Sequence, residues 1–161
     1  MPTFLIRLGF AASILLVPIT AEAQVVAELD AYWAALSRTV AEGDFEGYGA
    51  AFHLDGVLVS MNSGTSQLNS TFMVGAEPEF AANREEGASA SVEFRFTQRL
   101  HDEVTAHETG IFRYANTPSG GTERVAFVHF DALLVKKNGK WLMLMEYQRQ
   151  RATQQEWDDL N

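Results

Sequence analysis

Two carboxylates in the last third of the chain have the residue type and spacing for acid–base chemistry. Asp131 and Glu146 lie in two apolar runs, 124–137 and 140–149, which are separated by Asn-Gly at 138–139. Asn-Gly between such runs predicts a β-hairpin, because both residues of its type I′ turn adopt positive φ. A two-residue turn fixes which residues are opposed, and it places Asp131 opposite Glu146. Carboxyl groups this close can share a proton, so that one acts as an acid and the other as a base.

The hairpin face that carries these carboxylates has the composition of a ligand pocket. The next pair on it is His129 with Gln148, and His129 could complete a proton relay with the two carboxylates. Nearer the turn the face becomes apolar. The apolar pairs are Leu133/Leu144 and Val135/Leu142. We predict that this face lines a cavity with an apolar floor and a polar end.

Two other interpretations of the polar residues stay open. The carboxylates could be solvated at the mouth of the cavity, or paired with arginines of neighbouring strands. Those arginines are Arg95, Arg99 and Arg113. The set of His129, Asp131 and Glu146 has plausible ligand types for a metal, but its spacing is not diagnostic of a metal site. We therefore predict neither a metal nor a cofactor.

A second acid–histidine pair, His107 with Glu108, lies in the preceding strand region. Consecutive strand residues point to opposite faces of a sheet, so only one of the two can see the cavity. The other face of the hairpin carries large apolar side chains that a monomer would expose. They are Trp141, Met143, Met145 and Tyr147. We predict that they form a homodimer interface.

Composition excludes several classes of function. The 161 residues include no cysteine, so disulfides, thiolate metal sites and a cysteine nucleophile are excluded. A net charge of −9 argues against nucleic acid or an anionic membrane as a partner, because both require a basic surface. With 47% hydrophobic residues, the chain can bury a sizeable single core.

The first 23 residues have the pattern of a secretory signal peptide. Arg7 precedes the apolar stretch 8–19, which is too short to span a bilayer, and a small-x-small cleavage pattern follows at 21–23. We therefore expect a periplasmic or secreted protein, cleaved near Ala23, whose mature part, residues 24–161, is one domain.

The rest of the chain must form the helices and strands against which the hairpin packs. Leu29, Trp33 and Val40 recur at helical spacing, which predicts an amphipathic helix ending at Gly43. After it the sequence predicts a short helix at 45–52 capped by Asp44, a strand at 56–61, a polar loop at 62–71, a helix at 76–86 and four strands from residue 89 onward, including 105–115. Helices followed by a run of strands indicate an α+β fold with the helices on one face of a curved antiparallel sheet.

Three motifs occur in order along the chain: Ala-Glu-Gly-Asp-Phe at 41–45, Phe-His-Leu-Asp-Gly-Val-Leu-Val at 52–59 and Val-Lys-Lys-Asn-Gly-Lys-Trp at 135–141. Together they resemble the nuclear transport factor 2-like superfamily, in particular its SnoaL-like and kinase association-domain-like branches. The resemblance implies a cone-shaped α+β domain over residues 24–161, with the first helix roofing the cavity. The superfamily hosts isomerases, cyclases, dehydratases and pure binding proteins, so the fold alone does not specify a function.

The ketosteroid isomerase branch of this superfamily provides a residue-by-residue comparison. The position of its catalytic base corresponds to Ser60, and the position of its tyrosine donor corresponds to Leu36. Its oxyanion-side aspartate corresponds to Asp131. Only one of three functional positions is therefore matched, and a serine cannot shuttle protons as a carboxylate does.

These observations predict an exported protein that binds a small apolar molecule with a polar group. The predicted ligand-binding residues are Tyr32, Trp33, Ser60, Phe94, Phe96, Leu133, Leu144 and Gln148. One alternative is a SnoaL-like isomerase, cyclase or lyase that uses Asp131, Glu146 and His129 for acid–base catalysis. A second alternative is a module whose role is association through its sheet.

Overall fold

A computed structural model describes residues 20–160 of the chain. Within that range, three helices cover one face of a six-stranded sheet with the strand order β2-β1-β6-β5-β4-β3, and a short fourth helix packs on the other face. In chain order the elements are α1 (Ala21–Glu42), α2 (Phe45–Gly49), β1 (Phe52–Ser60), β2 (Thr65–Leu68), α3 (Asn69–Ala82), β3 (Ser89–His101), β4 (Thr105–Thr117), β5 (Arg124–Lys137), β6 (Lys140–Arg151) and α4 (Gln154–Asp158). All neighbouring strands are antiparallel except β1 and β6, which are parallel. The predicted α+β class is confirmed.

The long helix α1 forms because its apolar residues recur on one stripe, which packs on the inner face of the sheet. Leu29 is fully buried, and Trp33 and Leu36 are almost so. The helix ends at Gly43, as predicted, where φ of +66° lets the backbone N–H bond the Thr39 and Val40 carbonyls. The predicted signal peptide lies outside the described residues except for its last four, of which Thr20 caps α1 and the other three form its first turn.

The segment between β1 and β3 differs from the prediction. The expected polar loop at 62–71 contains β2, which pairs with the end of β1, and α3 begins at Asn69 rather than near residue 76. The buried Asn69 amide explains this early start. It donates to the carbonyl oxygens of His53 and Met143, at 3.4 and 3.5 Å, and so fixes the first turn of α3 against the sheet.

The predicted hairpin turn is present between β5 and β6. Asn138 and Gly139 have φ of 52° and 76°, and Lys137 pairs with Lys140. The predicted register holds as far as Leu134 opposite Met143. Beyond that point Leu144 is an extra residue in β6, a β-bulge.

The bulge overturns the predicted opposition of the two carboxylates. Asp131 pairs with Tyr147, and Glu146 pairs with Ala132, so Asp131 and Glu146 point to opposite faces of the sheet. Gly56 of β1 lies beside the bulge, where an added Cβ would sit 2.8 Å from the Leu144 carbonyl oxygen. Glycine is therefore required at that position in the Asp-Gly motif of β1.

The short helix α4 was not predicted from the sequence, and it packs on the outer face of the sheet. Its N-terminus is held by a capping box, in which Thr153 and Glu156 bond each other's backbone N–H groups. The Trp157 ring lies 5.8 Å from the Phe127 ring, and the Arg95 guanidinium lies 4.1 Å from the Trp157 ring centroid. Part of the outer face is thereby buried.

Candidate functional site

A cavity of about 300 Å³ lies between the inner face of the sheet and helices α1, α2 and α3. Strands β3 to β6 each contribute two side chains to it, because alternate residues of each strand point inward. Its apolar lining consists of Leu36, Val40, Phe72, Ala76, Phe80, Val92, Phe94, Phe112, Ala126 and Val128. This size and lining are typical of small-molecule sites.

The polar groups of the cavity come from four elements. Glu146 and Gln148 project from β6, Tyr48 from α2, Tyr114 from β4, and Glu79 and Asn83 from the end of α3. The Gln148 amide donates to Glu146 Oε1 at 2.8 Å. The two carboxylates are the sole charged groups among the residues that line this cavity, since no Lys, Arg or His contributes to it.

Burial shifts the ionisation of these groups. Removal from water raises the pKa of Glu146, and the hydrogen bond from Gln148 offsets part of that shift. Burial also raises the pKa of Tyr48 well above its usual value, and the charge of Glu146 adds to the effect. The pKa of Tyr114 is raised by burial and by Glu79. Both phenols therefore remain hydrogen-bond donors at any physiological pH.

The raised pKa of Glu146 predicts a pH-dependent stability difference for Glu146→Gln. Above the ordinary glutamate value of 4.5, the folded protein holds a proton that the unfolded chain has lost. Wild-type stability therefore falls as pH rises through that window, whereas the glutamine variant lacks this proton linkage. In urea titrations, we expect the free energy of unfolding of the variant minus that of wild type to increase as pH rises above 4.5. Parallel stability curves would contradict the assignment.

Three of the predicted site residues line the cavity, namely Glu146, Gln148 and Phe94. Trp33 and Phe96 instead belong to the packed core beneath it, where their ring centroids are 5.4 Å apart. The Tyr32 hydroxyl donates to the Ala51 carbonyl oxygen at 3.2 Å, outside the cavity lining. Ser60 pairs with Gln148 at the end of β1 but is not among the lining residues.

Two of the predicted catalytic residues lie on the outer face, which corrects the proposed proton relay. Asp131 is 3% exposed, and its Oδ2 lies 2.5 Å from Arg149 Nε. His129 Nε2 lies 3.1 Å from Glu156 Oε1 at the start of α4. Neither residue can act together with Glu146, because the sheet separates them. The suggested metal set of the same three residues fails for the same reason, and among residues 20–160 no group of three acidic or histidine side chains could hold a metal.

Between the turn and the bulge, the hairpin face that was predicted to line the cavity is the outer face of the sheet. Leu133, Val135 and Leu142 share the outer face with Asp131, and the bulged Leu144 is likewise absent from the cavity lining, so none of the four forms its floor. Trp141 and Met143 are instead 7% and 1% exposed in the core beneath α1. They cannot contribute to a dimer interface, whereas Met145 and Tyr147 lie beyond the bulge on the outer face. The homodimer itself stays a prediction.

Glu108 is the member of the His107–Glu108 pair that points inward. It is fully buried, and its Oε2 accepts a hydrogen bond from Trp33 Nε1 at 2.5 Å. Its other oxygen pairs with Arg99 Nε, and Arg99 Nη1 lies 2.5 Å from Asp30 Oδ1. This network ties α1 to strands β3 and β4, so Glu108 has a structural partner for each oxygen.

Several cavity residues were not identified from the sequence: Tyr48, Tyr114, Glu79, Asn83, Phe72, Phe80 and Phe112. The alternation of Phe112 and Tyr114 opposite Phe94 and Val92 was a usable signal, since cross-strand partners share a face. No sequence signal marked Tyr48 or Glu79, whose places depend on how α2 and α3 pack.

Solved structures with the same fold support the resemblance seen in the sequence. An NTF-2-like protein of unknown function from Shewanella oneidensis MR-1 matches with a TM-score of 0.62 at 12% identity, over 77% of this chain and 98% of that one. A protein from Xanthomonas campestris, named for a calcium/calmodulin-dependent protein kinase II association domain, matches at 0.57 and 21% identity, over 78% and 84%. A ketosteroid isomerase-like protein from Erwinia carotovora atroseptica matches at 0.59 and 15%, over 79% and 95%.

The chain therefore has the nuclear transport factor 2-like fold. At these identities the likeness establishes the fold and no particular activity. No protein-family model and no curated protein matches the chain. Within residues 20–160 no helix has the length and apolar character needed to cross a membrane.

Proposed function

We propose that the protein binds a small molecule in the cavity beneath α1, α2 and α3. The observation that carries the proposal is a mostly apolar cavity of about 300 Å³ with a polar end, where the Gln148 amide is hydrogen-bonded to the Glu146 carboxyl group. A carboxylate that only served stability would be placed in water or beside a cation, because burial without a cation is costly. We therefore infer that Glu146 contacts a ligand.

Binding is a better account than the predicted acid–base catalysis. Catalysis by Asp131, Glu146 and His129 required three groups on one face, and Glu146 alone faces the cavity. Tyr48 and Gln148 can orient a ligand by hydrogen bonds, and the aromatic walls can enclose its apolar part. Export to the periplasm or outside the cell remains part of the proposal on the strength of residues 1–23.

Native mass spectrometry of the protein purified without denaturant tests the proposal. We expect a fraction of the protein to carry an added mass of one small molecule that is released on unfolding. The same measurement on Glu146→Gln is expected to show a smaller bound fraction, since the polar end is altered. Only unliganded mass in both proteins, together with failure of small apolar molecules to bind, would contradict the proposal.

A further inference from the structure

We propose that the ligand of this cavity is cationic, with an ammonium group at Glu146 and an apolar body among the aromatic rings. The inference rests on the proposed function and specifies the chemical class of the ligand. Three features of the cavity carry it: its charged groups, the partners of Glu146, and the aromatic residues that line it.

The charges of the cavity are of one sign. Glu146 lies at the polar end, and Glu79 lies on the exposed side of α3 where the cavity opens. Neither carboxylate forms a salt bridge within residues 20–160. An entering anion would meet two carboxylates and no cation. A cation would be attracted by both, and the net charge of −9 would favour its approach.

Glu146, which is half-buried in the cavity, contrasts with the two fully buried acidic residues of the fold. Glu108 is paired with Arg99, and Asp131 is paired with Arg149. Glu146 accepts a hydrogen bond from the neutral amide of Gln148 and has no cationic partner among the described residues. The chain thus supplies an arginine for two buried carboxylates and leaves the cavity carboxylate for a group from outside.

The walls suit a cation as well. Phe72, Phe80, Phe94, Phe112, Tyr48 and Tyr114 all line the cavity. Aromatic faces attract ammonium groups through their quadrupole, and boxes of such rings recognise alkylated ammonium ions in other proteins. A neutral or anionic ligand would gain apolar contact from these rings but no such electrostatic attraction. Carboxylate and rings therefore select the same class of ligand.

Three probes with one aromatic body and different charge provide the test: 1-naphthylmethylamine, 1-naphthalenemethanol and 1-naphthoic acid. Dissociation constants are measured by isothermal titration calorimetry near neutral pH, where the amine is protonated. We expect the amine to bind roughly tenfold or more tightly than the alcohol, and the acid to bind weakest. In Glu146→Gln the advantage of the amine over the alcohol is expected to vanish.

The matched control is Glu93→Gln, which removes a carboxylate from an exposed outer-face pair with Arg113. It is expected to preserve the advantage of the amine. Equal or tighter binding of the alcohol or the acid to wild type would overturn the cationic ligand and leave the proposed binding function standing. Failure of all three probes to bind would overturn the cationic aromatic ligand, and together with only unliganded mass in native mass spectrometry it would contradict the binding function as well. An amine preference that survives Glu146→Gln would place the cation elsewhere and overturn the role of Glu146.

Discussion

Glu108→Ala is expected to lower the free energy of unfolding by about 3–5 kcal/mol. The substitution leaves Arg99 without its buried partner and the Trp33 indole N–H without an acceptor. Arg99 keeps its exposed partner Asp30, but its Nε and the buried Trp33 N–H both lose their acceptor, and donors left unsatisfied in the interior cost free energy. Since a domain of this size is stabilised by roughly 5–15 kcal/mol, a loss of this size would remove a large share of the total.

The chain offers a matched control for this prediction. Glu93 and Arg113 also form a carboxylate–arginine pair between β3 and β4, at 3.2 Å, but on the exposed face. Glu93→Ala is expected to cost no more than about 1 kcal/mol. Glu108→Gln is expected to fall between the two alanine variants, since its amide oxygen can still accept from Trp33. Urea denaturation followed by circular dichroism measures all three, and equal losses for Glu108→Ala and Glu93→Ala would contradict the account of the buried network.

Ala126→Trp is expected to weaken binding of 1-naphthylmethylamine by roughly a hundredfold or more, because the indole would fill the space that the probe needs. Ala126 lines the cavity from β5, opposite Tyr114 of β4. The new side chain enters existing free volume, so the fold is expected to survive. A cooperative unfolding transition in the variant would verify this before affinity is compared.

Leu133→Trp is the control for the plugged cavity. It introduces the same ring in the same strand, but on the outer face, which Leu133 shares with Asp131. We expect its affinity for the probe to equal that of wild type within about twofold. If the face of β5 that carries Leu133 lined the cavity, as predicted from the sequence, the outcome would be reversed, so loss of binding in Leu133→Trp with retention in Ala126→Trp would contradict the structure.

Much of the fold was predictable because its signals are local. The stripe of Leu29, Trp33 and Val40 defines α1, Gly43 ends it, and Asn138-Gly139 sets the hairpin turn. Each of these depends on residues within a few positions of one another. The order of strands after residue 89 followed from alternation and turn residues in the same way.

The candidate site was only partly predictable because one extra residue in a strand moves every later residue of that strand to the opposite face of the sheet. The run from Trp141 to Met145 is apolar at every position, so alternation cannot reveal the bulge at Leu144. Strand β5 is apolar on both faces, in part because α4 covers the outer one. The capping-box letters Thr153 and Glu156 could have revealed α4 and thereby the second buried face. Nothing in the sequence places the Tyr48 and Glu79 side chains in the same cavity as Glu146.

The position of a bound molecule tests the central claim most directly. A crystal structure of the wild-type protein grown with 1-naphthylmethylamine would report it without reference to any variant. We predict that the naphthyl ring packs against Phe94 and Phe112 in the cavity, with its nitrogen within hydrogen-bond distance of a Glu146 oxygen. An unfilled cavity, with the probe held instead on the outer face beside Asp131 and His129, would contradict the assignment of the functional site to the inner face of the sheet.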